Sequence, residues 1–262
     1  MGTGRVVLLH GFTQGPGSWD TVVAAGAGTE WPEESEVVRL TLPGHGGTGA
    51  VEYSFEEAAA TLADQVGPPE AAWAGYSMGG RLALRIALDR PDLVERLVLL
   101  GATPGLATPA ERAARRDRDE TLAGGLERKG LDRFLAGWLA QPLFERLPAA
   151  AAGMDERRAN TVAGLASVLR RLGTGAQEPL WDRLGELRMP VLLMAGEHDV
   201  SFSAVAFRMA AAIGRQARVS IVPGAGHAAH LERPDAFAIL LERFLDREEK
   251  AHGSSSSSSG AP

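Results

Sequence analysis

One serine of this chain stands between glycines at a point where a strand would turn sharply into a helix. The motif Gly75-Tyr76-Ser77-Met78-Gly79 has the G-x-S-x-G form of a nucleophile elbow. Ala71–Ala74 before it is typical of a short buried strand, and Arg81–Leu88 after it has the apolar spacing of a helix packed on a sheet. Glycines on both sides let a strained backbone pass closely and expose the hydroxyl. The pattern therefore predicts an activated serine.

An acid and a histidine follow the serine in the order that a catalytic triad needs. Asp199 comes just after a predicted buried strand, Pro190–Gly196, and His227 follows the predicted strand Val219–Val222. Because parallel sheets place their chemistry at the carboxyl ends of strands, we expect all three side chains to meet at one edge of a sheet. In such a triad His227 removes the Ser77 proton, and Asp199 fixes the imidazole tautomer.

The backbone around the serine also predicts an oxyanion hole. The turn directs the Met78 N–H at whatever Ser77 attacks. A second N–H is expected from the loop after the first strand, Arg5–Leu9, where Phe12 is the candidate donor. The alternative for His10-Gly11, which begins this loop, is an ordinary strand-to-loop turn.

Strands and helices alternate along most of the chain, and this pattern predicts the elements that position the triad. Residues 1–107 and 176–250 are typical of an α/β fold, here the α/β-hydrolase fold with a mostly parallel central sheet and helices on both faces. Ser54 and Glu57 have the capping-box spacing at the start of a helix predicted from about Phe55 to Val66.

Two other segments differ from this pattern. Residues 108–175 are rich in Arg and Ala and poor in β-branched residues, so we expect a helical cap inserted over the active site. Residues 251–262 contain six consecutive serines and are expected to be disordered.

Composition excludes several classes of function. The 262 residues carry a formal net charge of −6 without a dominant basic face, so nucleic acid is not an expected partner. The chain has no cysteine, which excludes disulfides and thiolate chemistry. We identify no signal peptide and no apolar stretch long enough to span a membrane, and therefore expect a cytoplasmic protein; the sequence is compatible with a monomer.

The histidines and acids leave two further alternatives to weigh. His230 lies three residues after His227, a spacing that two metal ligands could share, but no third ligand stands at a suitable distance. We therefore expect no metal and no cofactor. His45 and His198 are interpreted as loop residues bonded to the backbone. Glu197 is the rival of Asp199 as the triad acid and fits the pattern less well.

The predicted cap adds a second clue, because it is unusually basic in an acidic chain. Arg81 also lies four residues after Ser77, on the helix that begins at the elbow. Arginine suits bidentate binding of carboxylates, so the cluster favours a polyanionic small molecule. The alternative is that most of these arginines only solvate helix surfaces. The cap arginines are Arg112, Arg115, Arg116, Arg118, Arg157, Arg158, Arg170 and Arg171.

The elbow, two loops of the predicted core and several segments of the predicted cap contain motifs that belong together. The motifs are Gly75-Tyr76-Ser77-Met78-Gly79-Gly80-Arg81, His10-Gly11-Phe12-Thr13-Gln14-Gly15, Leu42-Pro43-Gly44-His45-Gly46, Thr103-Pro104-Gly105-Leu106 with Glu111-Arg112 and Arg115 after it, Gly137-Trp138, Gln141-Pro142-Leu143-Phe144, Leu169-Arg170-Arg171-Leu172-Gly173-Thr174-Gly175 with Gln177, and Gly226-His227-Ala228-Ala229-His230. Taken together, they resemble the 2-succinyl-6-hydroxy-2,4-cyclohexadiene-1-carboxylate synthases of menaquinone biosynthesis. The resemblance runs from about Val6 to Leu245, and the cap motifs are more specific than the elbow.

The resemblance implies elimination rather than hydrolysis. In that family the triad serine abstracts a ring proton and pyruvate leaves, and the substrate carries three carboxylates. Motif matching then implies that Arg81 and Arg115 bind carboxylates. Arg157 is a third ligand by the same matching, with Arg158 as its rival.

The same matching places two aromatic residues in the pocket and identifies two departures from the family. Tyr76 and Trp138 line the pocket by resemblance, although core packing is as good an explanation for either. Ser201 stands where some members have lysine, and Leu139 where one has tyrosine. These departures put details of substrate binding in doubt and leave the triad unaffected.

Three functions agree with the sequence. The first is the lyase that releases pyruvate, the second is a carboxylesterase or thioesterase of the same fold, and the third is a non-catalytic ligand-binding member. Fold alone does not choose among them. Converging guanidinium groups in the pocket would favour the lyase, whereas an apolar tunnel would favour the esterase.

Overall fold

A parallel sheet of six strands runs through the molecule. The computed structural model describes residues 4–26 and 37–245. The strand order is β2-β1-β3-β4-β5-β6, and all neighbouring pairs are parallel. The predicted α/β-hydrolase architecture is confirmed, whereas the predicted disordered tail, residues 251–262, lies outside the described residues. The strands are β1 (Val6–Leu9), β2 (Val37–Leu40), β3 (Ala71–Tyr76), β4 (Val94–Leu100), β5 (Val191–Gly196) and β6 (Ala217–Val222).

Helices cover both faces of this sheet and also form the segment between β4 and β5. Within the described ranges, none of them is long and apolar enough to cross a membrane. The helices are α1 (Asp20–Gly26), α2 (Phe55–Val66), α3 (Met78–Asp89), α4 (Pro109–Lys129), α5 (Leu131–Leu139), α6 (Met154–Arg158), α7 (Val162–Leu172), α8 (Val200–Ile213), α9 (Ala229–Glu232) and α10 (Pro234–Leu245).

Strand side chains alternate between two buried cores, one on each face of the sheet. Val7 and Leu9 join a cluster that includes residues of α2, α3 and α8, while Val6 and Leu8 join one that includes residues of α1 and α10. Successive residues of a strand point to opposite faces, so a strand covered on both sides is apolar throughout. The strands β3 and β5 are buried throughout, and this burial on both faces fixes the carboxyl ends that Ser77 and Asp199 follow.

Local sequence sets the start of the helices that lie near the site. Ser54 accepts a hydrogen bond from the Glu57 amide while the Glu57 carboxylate accepts one from the Ser54 amide, so the predicted capping box of α2 is confirmed. Thr108 and Glu111 make the same pair of bonds at the start of α4. Such caps satisfy N–H groups that have no partner inside the helix.

The segment between β4 and β5 contains α4 to α7 and no strand, in a stretch that is described throughout. It has a small apolar core of its own, including Leu126, Leu135, Leu165 and Leu169. Helices α4 and α7 pack against each other. Whether residues 108–175 act as a cap over the rest of the chain stays a prediction.

Candidate active site

The turn between β3 and α3 holds Ser77 in a strained backbone conformation. Its φ and ψ angles are 51° and −105°, in a region that residues other than glycine rarely adopt. A Cβ on Gly75 would overlap the Gly79 carbonyl, and one on Gly79 would overlap the carbonyls of Leu9 and His10. Both glycines are therefore required for the close passage of β3, α3 and the loop after β1. This is the geometry of the predicted nucleophile elbow.

His227 and Asp199 lie side by side at the ends of β6 and β5. The Nδ1 of His227 is 2.6 Å from Oδ2 of Asp199, and both side chains are buried. The other oxygen of Asp199 accepts a bond of 3.3 Å from the Phe202 amide at the start of α8. Glu197, the rival acid, is exposed and accepts a bond from the Gly224 amide instead. The structure thus pairs the histidine with Asp199.

The serine and the histidine line one cavity, between the carboxyl edge of the sheet and the helical segment. Every residue proposed from the sequence for substrate binding also lines it. The lining residues are Phe12, Gln14, Tyr76, Ser77, Met78, Arg81, Gly101, Thr103, Arg115, Trp138, Leu143, Phe144, Arg157, Val168, Leu169, Leu172, Gly173, Thr174, Phe202 and His227.

The two candidate oxyanion donors stand at this cavity as well. Met78 is the first residue of α3, so its N–H has no acceptor within the helix. Phe12 lies in the loop after β1, and its N–H has no acceptor among the described residues. Both amides are therefore available to a developing negative charge, which is the property that an oxyanion hole requires.

Two buried histidines hold the loop that carries Phe12. His10 Nε2 accepts a bond of 3.0 Å from the Leu42 amide, and His45 Nε2 accepts one of 3.1 Å from the Thr13 amide. Both nitrogens must stay unprotonated to accept. Burial lowers the pKa of His10 well below its ordinary value and lowers that of His45 to about 4. His45 is therefore the loop residue that the sequence suggested, while His198 is exposed.

Arg81 is a buried cation that has no carboxylate partner in the described part of the chain. Its side chain projects from α3, and the residue is 6% exposed. The Nη atoms donate to Gln177 Oε1 at 2.7 Å and to the Leu172 carbonyl at 2.8 Å. Burial, together with the nearby charge of Arg115, lowers its pKa to about 9. A buried charge bound only to neutral acceptors favours an anionic ligand.

Arg157 is the second buried arginine of the cavity. It is 2% exposed and donates to the Ala152 carbonyl at 2.6 Å and to the Thr13 hydroxyl. Its rival Arg158 points to the surface and pairs with Asp132 at 2.9 Å. The structure therefore brings Arg157, and not Arg158, to the cavity that holds Ser77.

Arg115 is the third arginine of the cavity, and its surroundings differ from those of the other two. Its Nε donates to Oδ1 of Asp119 at 2.8 Å, one helical turn further along α4. Asp119 is 1% exposed and does not line the cavity.

The other cap arginines do not join this cluster. Arg170 pairs with Glu120 and Glu127, while Arg112 and Arg116 donate to backbone carbonyls. Arg118 and Arg171 are exposed. The interpretation of these arginines as groups that solvate helix surfaces thus holds for most of the basic segment, and the charge of the cavity comes from three residues.

Tyr76 and Trp138 contact both the cavity and the surrounding aromatic residues. The Tyr76 ring lies 5.3 Å from that of His227, and burial raises its pKa far above the ordinary value. The Trp138 ring lies 5.1 Å from that of Phe12. Each residue therefore combines the packing role and the lining role that the sequence left open.

Some cavity residues were missed from the sequence. The Phe202 ring packs at a tilt against that of His227 with ring centroids 4.6 Å apart, and Phe144 lies 6.2 Å from the same ring. The place of Phe202, three residues after the triad acid and within the first turn of a helix, was a usable signal. Asp119, which lies outside the cavity lining but bonds to Arg115, carried no comparable signal, because a helical carboxylate is usually exposed.

The ring of His230 is enclosed by aromatic side chains. It packs between Trp19 and Tyr76, with centroids 4.7 and 4.4 Å away, and burial lowers its pKa to about 3. The described residues include no group of three His, Cys, Asp or Glu side chains that could hold a metal ion.

Comparison with known proteins identifies the family. The model of the alpha/beta hydrolase family matches residues 6–239. A Serratia proteamaculans (strain 568) protein named 2-succinyl-6-hydroxy-2,4-cyclohexadiene-1-carboxylate synthase is 34% identical over 92% of both chains. A Bacillus subtilis (strain 168) relative, provisionally given the same name, is 38% identical over 92% of this chain and 89% of its own. The solved structure of MenH from S. aureus superposes with a TM-score of 0.84 at 30% identity, covering 94% of each chain. The chain belongs to the alpha/beta hydrolase family and, within it, to the 2-succinyl-6-hydroxy-2,4-cyclohexadiene-1-carboxylate synthases.

Proposed function

We propose that this enzyme eliminates pyruvate from 2-succinyl-5-enolpyruvyl-6-hydroxy-3-cyclohexene-1-carboxylate and forms 2-succinyl-6-hydroxy-2,4-cyclohexadiene-1-carboxylate, a step of menaquinone biosynthesis. One observation supports it above the others: three guanidinium groups line the same cavity as Ser77. The substrate carries three carboxylates. The proposed product is the compound after which the relatives are named, 2-succinyl-6-hydroxy-2,4-cyclohexadiene-1-carboxylate.

In the proposed mechanism, His227 takes the Ser77 proton and the serine oxygen then removes a proton from the ring. Charge that develops on the adjacent carbonyl oxygen is stabilised by the Phe12 and Met78 amides. The ring electrons form the second double bond as the C–O bond to the enolpyruvyl group breaks. The departing group is the enolate of pyruvate, which becomes pyruvate when its methylene carbon takes up a proton, and His227 releases its extra proton to return to the neutral form. Asp199 stabilises the histidine while it carries the extra proton.

Arg81, Arg115 and Arg157 bind the carboxylates in this proposal. Arg81 and Arg157 have no carboxylate partner in the described part of the chain, so an anionic ligand would supply the charge that each one lacks. Tyr76 and Trp138 supply apolar contacts on either side.

We also propose that residues 108–175 form a cap that closes over the substrate. Arg115, Trp138 and Arg157 come from this segment, whereas Ser77 and His227 come from the sheet. The acidic net charge supports a small-molecule substrate rather than nucleic acid. We also propose that the protein is a cytoplasmic monomer.

The alternatives are less well supported. An esterase for fatty acyl groups would need an apolar channel, and the buried guanidiniums of Arg81 and Arg157 would oppose an acyl chain. A non-catalytic binding protein would not need the strained serine beside a paired histidine and aspartate, because strain of this kind costs of order 1–3 kcal/mol.

The direct test is a pyruvate-release assay with freshly generated substrate. The wild type is expected to release pyruvate much faster than the spontaneous reaction, and Ser77→Ala is expected to lose this activity. Hydrolysis of a p-nitrophenyl ester without pyruvate release would contradict the proposal and indicate a hydrolase.

A further inference from the structure

We propose that Asp119 is a positioning residue for substrate binding: it orients the Arg115 guanidinium toward the cavity while making no contact with the substrate. This inference rests on the proposed function of the cavity, because it assumes that Arg115 binds a carboxylate of the ligand. Asp119 itself lies behind the residues that line the cavity.

The burial of Asp119 is the first observation. A helix in the surface segment of a protein normally exposes its carboxylates, yet Asp119 is only 1% exposed on α4. Its neighbour Glu120 is exposed and pairs with Arg170 on α7. Asp119 instead faces the end of α7, where a Cβ on Gly173 would overlap its Oδ2 atom. The small residue at position 173 thus leaves space for the carboxylate.

The bond that Asp119 makes is the second observation. Its Oδ1 accepts from Nε of Arg115, and neither Nη atom of Arg115 has an acceptor among the described residues. A guanidinium has five N–H donors in one plane, so the Nε bond fixes that plane and leaves four donors for a ligand. Because Arg115 lines the cavity, this geometry presents the donors that can bind a carboxylate with two parallel bonds.

The second oxygen of Asp119 has no hydrogen-bond donor in the described part of the chain. A buried carboxylate with one bonded oxygen is costly, and burial accordingly raises its pKa despite the nearby charges of Arg115 and Arg81. This cost is understandable if the negative charge keeps Arg115 oriented and partly offsets the nearby charge of Arg81 when the cavity holds no anion.

The kinetic test is Asp119→Asn, which keeps the shape of the side chain but removes its charge, and so replaces the charge-assisted bond to Arg115 with a weaker neutral one. We expect KM to rise about tenfold with kcat changed by less than about threefold. A misdirected Arg115 guanidinium would bind the substrate carboxylate less tightly in the ground state and in the transition state alike. Glu120→Gln is the matched control, since it removes an exposed carboxylate from the same helical turn, and its kinetic constants should stay at the wild-type values. An unchanged KM in Asp119→Asn would overturn the proposal.

A double-mutant cycle separates positioning from a general structural role. If Asp119 acts through Arg115, then Asp119→Asn has no further effect on KM in an Arg115→Gln background. An equal tenfold effect in both backgrounds would instead indicate damage spread through the cavity. In the wild type, the Arg115 Nε–H signal, assigned by its absence from Arg115→Gln, should exchange slowly with water; rapid exchange would contradict the bond to Asp119.

A binding experiment keeps this inference separate from the reaction proposed above. Citrate is a stable tricarboxylate that can be titrated calorimetrically without turnover. If the wild type releases no pyruvate, the proposed reaction fails, but weaker citrate binding by Asp119→Asn than by Glu120→Gln would still support the role of Asp119. Equal citrate binding by both variants would overturn that role whether or not the enzyme releases pyruvate.

Discussion

The cavity has two walls that are built in different ways. The sheet wall carries Ser77 and His227, with Asp199 bonded behind the histidine, on turns that follow the parallel strands β3, β6 and β5. The opposite wall carries Arg115 and Arg157 on helices of the segment between β4 and β5. Backbone geometry places the reacting groups of the first wall, whereas side-chain bonds orient the charged groups of the second.

This difference predicts that the first wall tolerates less change than the second. Ser77 depends on main-chain contacts among β3, α3 and the loop after β1, where the Gly79 amide donates to the His10 carbonyl at 3.1 Å. The long arginine side chains of the second wall depend on individual acceptors: the Ala152 carbonyl and the Thr13 hydroxyl for Arg157, and Asp119 for Arg115. The fold thus positions the reacting groups, whereas a few buried polar contacts position the groups that recognise the substrate.

The most severe change on the sheet wall is Ser77→Ala. We expect kcat to fall by at least about 10³-fold, because the proposed base is lost while the backbone of the elbow is retained. The melting temperature should not fall. Ser201→Ala, which removes an exposed hydroxyl near the same edge, serves as the control in the pyruvate assay. Near-normal turnover by Ser77→Ala would remove the serine from the mechanism.

A smaller loss is expected from Arg81→Ala, which tests a charge that borders both walls. The loss of a buried charged hydrogen bond to the substrate should weaken transition-state binding by ~2–4 kcal/mol in kcat/KM. Arg85→Ala is the matched control one helical turn along α3, because Arg85 pairs with Asp89 and Glu56 away from the cavity. Equal kinetics for the two variants would mean that Arg81 has only a structural role.

The helical wall is tested by the pair Arg157→Gln and Arg158→Gln. Steady-state kinetics should show a rise in KM of about tenfold for the first, because a buried cationic ligand is lost. The second removes an exposed ion pair with Asp132 and should leave the kinetics unchanged. The reverse result would identify Arg158 as the carboxylate ligand.

The smallest expected effect is on the free energy of unfolding at acidic pH. Burial keeps His45 and His230 neutral in the folded protein, with pKa values of about 4 and about 3, against 6.5 when unfolded. Below pH 6.5 the unfolded chain binds protons that the folded chain does not, so the free energy of unfolding should fall as the pH falls. Each histidine contributes up to ~1.4 kcal/mol per pH unit between 6.5 and its folded pKa.

Urea denaturation between pH 6.5 and pH 4.5 measures this slope. His230→Phe is expected to reduce it by ~1.4 kcal/mol per pH unit, because the ring fits the same aromatic contacts without a titrating group. His198→Phe, at an exposed position, is the control. Identical slopes in the wild type and His230→Phe would contradict the neutral state assigned to the buried ring.

Much of the sheet wall was predictable because its signals are local. The elbow motif, the apolar strands and the capping box of α2 each depend on residues a few positions apart, and helices and strands form by such short-range rules. The meeting of the three triad residues was predictable from the strand pattern, since parallel strands bring their carboxyl ends to one edge of the sheet. The choice of Asp199 over Glu197 agreed with the pattern, and the structure then supplied the pairing distance.

The helical wall was decided by tertiary structure. The sequence determined that residues 108–175 are basic and helical, and resemblance to a family suggested which arginines bind substrate. It did not determine that Arg170 and Arg158 turn to surface carboxylates while Arg157 is buried, because burial depends on how α4, α6 and α7 pack. The role proposed for Asp119 has the same origin: an ordinary helical carboxylate became a buried one because Gly173 leaves it space.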